Sequence, residues 1–167
     1  MQKTSDTIIS YTYIATAIGN ILLTSSKGKL LGLYIKGHNH FSKIEKDWVQ
    51  DTALVFFKKV EQELAAYFYG NNPIFTLDYT LEGSDLERNV WKALLHIPYG
   101  MVVSYSTFTS FTAYPHAIRA VASAIGRNPL SILLPCHRVV SKDGSLGGYA
   151  AGLSIKKKLL AIEKRVM

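Results

Sequence analysis

Cysteine is almost absent from this sequence, and long apolar runs are absent altogether. Cys136 is the single cysteine among 167 residues, so a disulfide framework and a cysteine-rich zinc site are both excluded. No apolar run approaches the roughly 18 residues that a membrane-spanning helix needs, and the N-terminus lacks the charged-then-apolar order of a signal peptide. The remaining composition, 48% hydrophobic and 19% charged, is typical of a globular protein. We therefore expect an intracellular protein of one or two small domains, with no metal and no membrane partner.

Acidic residues are scarce in the C-terminal half. Through Glu82 there are eight Lys/Arg and eight Asp/Glu, whereas from Gly83 onward there are eleven Lys/Arg and four Asp/Glu. The net charge of +7 therefore belongs wholly to the second half. This asymmetry suggests a polyanionic partner bound by that half. The alternative is that the charge only keeps a free surface soluble.

The first 80 residues have the pattern of a small α/β domain, which we expect to be structural. Three segments rich in Ile, Tyr and Thr, separated by glycine-containing turns, predict an antiparallel meander: Ile8–Thr16, Ile21–Ser25 and Leu30–Ile35. From about Asp51 to Tyr69, apolar residues recur every three or four positions, which predicts a helix with one buried face. The residues of that face are Leu54, Phe57, Val60, Leu64 and Phe68. Ile74–Thr80 fits either a further strand or an extended linker.

Residues 83–167 predict a second, mostly helical domain, so the fold class is α/β in the α+β sense. Ser84 or Asp85 is a suitable N-cap for its first helix. Ser104–Phe111 is a poor helix by propensity, but a proline-containing turn and the Ala-rich helix around Arg119 follow it. This order suggests a helix-turn-helix. The final helix is predicted at about Ser154–Arg165, with three lysines in its first turns.

The segment around the single cysteine carries the chemistry. Apolar runs flank Pro-Cys-His-Arg at residues 135–138, which predicts a strand-like segment or a buried turn. A thiol becomes nucleophilic when a neighbouring base or positive charge favours the thiolate, and His137 and Arg138 follow Cys136 directly. The alternative is a small buried cysteine beside a surface histidine. Neighbouring residues of an extended segment point to opposite sides, so the spacing alone leaves both interpretations open.

Pro-Cys-His-Arg-Val is the hallmark of the methylated-DNA–protein-cysteine methyltransferase family, and the chain from about Gly83 to Glu163 resembles that family. The N-terminal half resembles it more loosely. Apart from the hallmark, the ordered matches are Val90-Trp91, Ile97-Pro98, Gly100, Ser104-Tyr105, Arg119-Ala120-Val121, Asn128-Pro129, Gly144, Gly147, Tyr149, Gly152, Leu159-Leu160 and Glu163, and in the first half Leu64, Tyr67-Phe68, Gly70 and Phe75.

The chain departs from the family pattern at three places. Leu86-Glu87 stands where Phe-Gln is frequent, and Phe108-Thr109 stands where Leu-Ala is usual. Ala150 replaces a serine that some relatives have after the pocket tyrosine, so a hydroxyl contact to the base is missing. These differences concern the range of substrates rather than the reaction.

The resemblance implies the catalytic roles. Cys136 is the alkyl acceptor, His137 is its base through a water molecule, and Glu163 orients that histidine and stabilises its charge. This is the nucleophile–base–orienter arrangement, applied to SN2 attack on carbon. Asn128 is implied to hold the turn that joins the recognition helix to the active-site segment.

The resemblance also implies how the DNA is contacted. Arg119 fills the gap that an extruded nucleotide leaves, and the Tyr105 hydroxyl meets the flipped base or its phosphate. Tyr149 forms part of the pocket wall. Backbone groups at Val139 and at Tyr149–Ala150 read the guanine edge. Flipping is required because O6 of guanine lies within a stacked base pair.

The implied activity is stoichiometric transfer of an alkyl group from O6-alkylguanine in double-stranded DNA to Cys136, with O4-methylthymine as a poorer substrate. The family needs no cofactor, and we expect a monomer in the cytoplasm, associated with the nucleoid in a prokaryote, or in the nucleus of a eukaryote. Two alternatives stay open. A DNA-binding regulator would not need Cys136, and a cysteine hydrolase using Cys136, His137 and Glu163 would turn over repeatedly.

Overall fold

The N-terminal half is a four-stranded sheet with one helix packed on it. The computed structural model describes residues 7–41, 43–71 and 73–164. Strands β1, β2 and β3 form the expected antiparallel meander, and a short β4 pairs in parallel with β1 at the opposite edge. The sequence pattern did not predict β4. The elements of this half are β1 (Ser10–Thr16), β2 (Gly19–Ser26), β3 (Lys29–Ile35), β4 (Val49–Gln50) and α1 (Val55–Phe68).

Helix α1 is shorter than the periodicity predicted. It begins after Leu54 instead of near Asp51, because the Asp51 carboxylate accepts a hydrogen bond from the Ala53 amide, 3.0 Å, in a turn before the helix. Its buried face contains Phe57, Val60 and Leu64 as expected, and also Tyr67, whereas Phe68 is only half-buried. The next segment, 74–80, is an extended connection with a single bridge between Tyr79 and Leu30.

The C-terminal half is mostly helical, with a two-stranded parallel sheet. Its last helix includes Lys164, whereas Arg165, the predicted end, lies outside the described residues. The strand-like interpretation of residues 135–138 is wrong, because Cys136–Arg138 is one turn of 3₁₀ helix. The elements are α2 (Asp85–Leu94), β5 (Val103–Ser104), α3 (Tyr105–Ser110), α4 (Ile118–Gly126), β6 (Val139–Val140) and α5 (Leu153–Lys164).

Helices α3 and α4 form the expected helix-turn-helix. The Ser104 side chain caps α3 by accepting a hydrogen bond from the Thr107 amide, 3.1 Å, and this cap offsets the poor propensity of the segment. The Trp91 indole donates to the Ala124 carbonyl, 2.8 Å, which fixes α4 against α2. Helix α2 begins with a capping box between Ser84 and Glu87.

The two halves share one hydrophobic core. Leu33 of β3 donates its amide to the Pro129 carbonyl, 2.8 Å, and accepts from the Ser131 amide, 3.1 Å. The sheet of the first half is therefore hydrogen-bonded directly to the segment that leads to Cys136. Among the described residues, no helix is long and apolar enough to cross a bilayer.

Candidate active site

The segment between α4 and Cys136 folds back on itself as a tight turn. Ile132 at its centre is buried and has φ 74°, a left-handed conformation that is a strained outlier for a β-branched residue. The Asn128 side chain stabilises the turn by accepting from the Leu130 amide, 2.9 Å, and donating to the Leu134 carbonyl, 2.7 Å. The same amide nitrogen lies 3.0 Å from Cys136 Sγ. Asn128 therefore links the turn to the thiol.

Cys136 is nearly buried, and its surroundings do not ionise it at rest. Burial raises the pKa of the thiol, while the hydrogen bond from Asn128 and the charge of Lys156 act in the opposite direction without cancelling it. The resting form is thus the neutral thiol. A base must take its proton during the reaction.

His137, the residue after Cys136, and Glu163 of α5 form a buried pair. His137 Nε2 lies 2.6 Å from Glu163 Oε1, and both side chains are shielded from solvent. Burial lowers the pKa of His137 despite the hydrogen bond to Glu163, so the imidazole is neutral. Because the carboxylate accepts at Nε2, the proton lies there, and Nδ1 keeps a lone pair. Nδ1 is buried and has no hydrogen-bond partner in the described part of the chain.

Glu163 accepts hydrogen bonds from four residues. Besides His137, the Arg138 guanidinium donates through Nε, 2.9 Å, and Nη2, 3.0 Å; the Tyr67 hydroxyl donates at 2.8 Å and the Gly100 amide at 3.1 Å. Burial alone would raise the pKa of this carboxyl, but the hydrogen bonds from His137 and Arg138 and the charge of Arg138 lower it to about 2. Glu163 is therefore a fixed anion, and it holds the imidazole ring in one orientation.

A cavity of about 350 Å³ opens beside Cys136. Of the residues that the sequence predicts for the site, Tyr105, Cys136, Tyr149 and Ala150 line it. The Tyr105 hydroxyl approaches the Gly148 carbonyl at 3.4 Å. Three residues of the first half also line this cavity, namely His38, Asn39 and His40.

Lys156 is buried, although the sequence places it in a row of three lysines at the start of α5. Its ammonium donates to the Val139 carbonyl, 2.6 Å, and to the Gly148 carbonyl, 3.1 Å. It lies 5.9 Å from the centre of the Tyr105 ring and 6.0 Å from that of Tyr149. Burial lowers its pKa to about 8, against the attraction of Cys136. This cation supports the loop that forms one wall of the cavity.

Arg119 and Val139 do not line the cavity. Arg119 lies exposed near the beginning of α4, next to the exposed Ile118. Val139 is fully buried, and its carbonyl already accepts from Lys156. A carbonyl oxygen has two lone pairs, so the Val139 oxygen can accept a second hydrogen bond, from a DNA base.

Comparisons with known proteins identify the family. Residues 85–165 match the model of the 6-O-methylguanine DNA methyltransferase DNA-binding domain, and residues 9–80 match that of its ribonuclease-like domain. A methylated-DNA–protein-cysteine methyltransferase of Methanosarcina barkeri is 41% identical over 155 residues, 92% of this chain and 96% of the relative. The chain belongs to the methylated-DNA–protein-cysteine methyltransferase family.

Solved structures of the family have the same fold. The OGT of Mycobacterium tuberculosis in complex with DNA superposes with a TM-score of 0.86 at 36% identity, over 93% of each chain. The enzyme of Pyrococcus kodakaraensis, at 23% identity and a TM-score of 0.64, shares the fold. The expected family and α+β fold class are thus confirmed.

Several contacts of this methyltransferase site escaped the sequence analysis. The sequence analysis matched Tyr67 to the family only within the loosely resembling N-terminal half, although its hydroxyl donates a hydrogen bond to Glu163. Arg138 stands in the hallmark itself, but nothing in the sequence shows that it turns inward to share Glu163 with His137. The burial of Lys156 was not predicted, because the two residues that follow it are also lysines, and their side chains are exposed.

Proposed function

We propose that this protein repairs alkylated DNA by moving the alkyl group of an O6-alkylguanine in a duplex onto Cys136, once per molecule. Methyl is the main group transferred, and O4-methylthymine is a poorer substrate. Relatives over almost the whole chain are methylated-DNA–protein-cysteine methyltransferases, and a solved relative binds DNA. The observation in this chain that carries the proposal is its single thiol, which lines a cavity next to a buried histidine–carboxylate pair.

The chemistry follows from the neutral state of both Cys136 and His137. As the alkylated base enters the cavity, the thiol proton passes to Nδ1 of His137 through a water molecule, and Glu163 stabilises the imidazolium that forms. The sulfur then attacks the alkyl carbon, an S–C bond forms, and the C–O6 bond breaks with its electron pair staying on the guanine. The base takes up one proton. The net change moves one alkyl group from oxygen to sulfur and one proton from sulfur to guanine.

Nothing in this reaction regenerates the thiol. A thioether is a very poor leaving group, and the chain has no second cysteine that could accept the alkyl group. Each molecule therefore reacts once. Asn128, at 3.0 Å from the sulfur, positions Cys136 for its single attack.

The DNA contacts are assigned to the C-terminal half, residues 83–167, and the N-terminal domain, residues 1–80, supports them. Helix α4 carries Arg119 into the gap left by the flipped nucleotide, where its cation replaces lost stacking. The Tyr105 hydroxyl meets the flipped base or its phosphate. Tyr149 forms a wall of the base pocket, and backbone groups of Val139 and Ala150 read the guanine edge. The protein acts as a monomer on genomic DNA, at the nucleoid of a prokaryote or in the nucleus of a eukaryote.

Intact-mass measurement after mixing with an O6-methylguanine duplex tests this proposal. We expect one added CH₂ unit per protein, located at Cys136, with no further gain at excess DNA. The Cys136→Ser variant should bind the duplex and gain no mass. Repeated turnover would favour the hydrolase alternative, whereas DNA binding with an unmodified wild-type protein would favour the regulator.

A further inference from the structure

The cavity next to Cys136 is not built by the C-terminal half alone. His38, Asn39 and His40, which follow strand β3, line it together with Cys136, Tyr149 and Ala150. We call these three residues the His38–His40 segment. None of them belongs to the catalytic pair or to the recognition helix. The segment therefore needs an explanation separate from the reaction chemistry.

The segment is anchored on the active site at two points. The Asn39 amide donates to the Ala150 carbonyl, 2.9 Å. His38 is buried and packs edge-on against Tyr34, with ring centroids 5.4 Å apart. Burial and the neighbouring His40 lower the pKa of His38 to about 4, although a backbone contact with Asn128 favours the charged form. A neutral His38 and a fixed Asn39 amide hold the segment against the same loop and turn that position the thiol.

His40 completes the wall on the side of the recognition helix. Its amide donates to His38 Nδ1, 3.2 Å, which fixes where its side chain begins. A β-carbon added to Gly126, at the end of α4, would lie 3.7 Å from His40 Nε2. The segment thus spans the cavity mouth from Ala150 to Gly126. Asn39 and His40 are themselves exposed, so their side chains form the edge of the opening rather than part of the core.

We propose that the His38–His40 segment limits the size of the alkyl group that this protein accepts, with Asn39 and His40 as specificity-determining residues. The proposal rests on the alkyl-transfer function argued above. At about 350 Å³, the cavity is near the lower end of ligand pockets, which span about 300–1,000 Å³. Asn39 and His40 lie exposed at the edge of this cavity, so a bulky substituent that projects from a bound base toward this edge must contact them.

Paired rate measurements test this assignment. The probes are two duplex oligonucleotides of one sequence, carrying O6-methylguanine or O6-benzylguanine, and the quantity of interest is the ratio of the benzyl to the methyl transfer rate. His40→Ala and Asn39→Ala should raise this ratio by about fivefold or more, because single contacts in a pocket discriminate substrates by about tenfold and upward. His40→Trp, which fills the opening, should lower it. His96→Ala, an exposed histidine away from the cavity, should leave both rates as in the wild type.

The outcomes separate this proposal from the proposed function. If the wild type transfers methyl groups but the ratio rises less than about fivefold in both alanine variants, the wall assignment is overturned. The same holds if both rates fall together, since that result indicates a contact to the DNA backbone. If the wild type accepts no alkyl group from either duplex, the function itself fails. Unchanged melting temperatures of the variants show that they are folded.

Discussion

The half of the chain up to Glu82 carries equal numbers of acidic and basic residues, whereas the half from Gly83 carries the entire excess of +7. The structure divides the basic residues of the second half further. Arg138 and Lys156 are turned inward onto Glu163 and onto backbone carbonyls, while Arg119 and the lysines next to Lys156 stay exposed. Positive charge in this half therefore has two separate uses, one inside the site and one available to DNA.

The half with no net charge also reaches the site. Tyr67 of α1 donates to Glu163, and the His38–His40 segment borders the cavity. The charge distribution indicates which half of the chain binds DNA, but it does not identify all the residues that line the pocket.

Glu163→Gln should have the largest effect on stability, because it leaves Arg138 buried without its carboxylate. Breaking a buried ion pair costs about 3–5 kcal/mol. The pKa of Glu163 is lowered to about 2 in the folded protein, from about 4.3 in an unfolded chain. The stability that ionised Glu163 contributes to the fold is therefore fully present above the pKa of the unfolded chain, and it is lost as the pH falls toward about 2. Urea unfolding between neutral and acid pH measures both effects.

Glu87→Gln is the matched control, since Glu87 also bonds an arginine, Arg127, but in a pair that is partly open to solvent. Glutamine keeps the capping box possible, and an exposed pair contributes about 0–1 kcal/mol. If the two variants lost equal stability, the distinction between internal and surface charge in this half would be wrong.

Tyr67→Phe tests the contribution of the neutral half. It removes a hydrogen bond to a buried carboxylate, which is worth about 1.5–3 kcal/mol, and it should raise the pKa of Glu163 and slow alkyl transfer. Tyr69→Phe, an exposed tyrosine at the end of the same helix, is the control and should change neither. A Tyr67→Phe protein with wild-type stability and rate would show that α1 does not support Glu163.

Arg119→Ala tests the outer cations. It should slow repair of a duplex by about tenfold or more, while transfer from the free base O6-benzylguanine changes less, because only the duplex must be unstacked at a cost of a few kcal/mol. Single-turnover rates with both substrates give the comparison. Lys58→Ala, an exposed cation on α1, should affect neither rate. Equal slowing of both substrates by Arg119→Ala would assign Arg119 to the pocket instead.

Methylation of Cys136 should have the smallest effect. The sulfur borders a cavity that can take up the methyl group, so the main loss is the contact from Asn128 at 3.0 Å, about 0.5–1.5 kcal/mol for one hydrogen bond. The melting temperature should fall slightly after reaction with O6-methylguanine DNA. The Cys136→Ser protein treated in the same way should not change, and an unchanged melting curve of the reacted wild type would show that the Asn128 contact contributes nothing to stability.

Much of the fold was predictable, because its signals are local. The glycine-containing turns defined the meander, and Ser84, one of the two predicted N-caps, begins α2. The helix-turn-helix was recognised although α3 is a poor helix by propensity, since the order of segments indicated it. Strand β4 was missed because two exposed residues, Val49 and Gln50, form it only by pairing with β1.

Of the residues that the sequence predicts for the site, Tyr105, Cys136, Tyr149 and Ala150 line one cavity in the structure, but the sequence did not predict their arrangement. Neighbouring residues in an extended segment point apart, so the spacing of Cys136 and His137 left their relation open. The 3₁₀ turn at Cys136–Arg138 and the strained turn at Ile132 fix the backbone directions at Cys136 and His137. Both turns depend on Asn128 and on the hydrogen bonds to Leu33, which is distant along the chain.

The single thiol, the charge asymmetry, the family resemblance and most of the longer strands and helices could be read from the sequence, because each of these depends on residue identity or on short-range hydrogen bonding. The three-dimensional structure was needed to show which lysine of the row 156–158 is buried, and that Tyr67 and the His38–His40 segment contact the site. A buried charge needs acceptors, and those of Lys156 are the carbonyls of Val139 and Gly148, supplied by other segments. Packing between distant segments brings such acceptors together, so a local sequence pattern does not predict them.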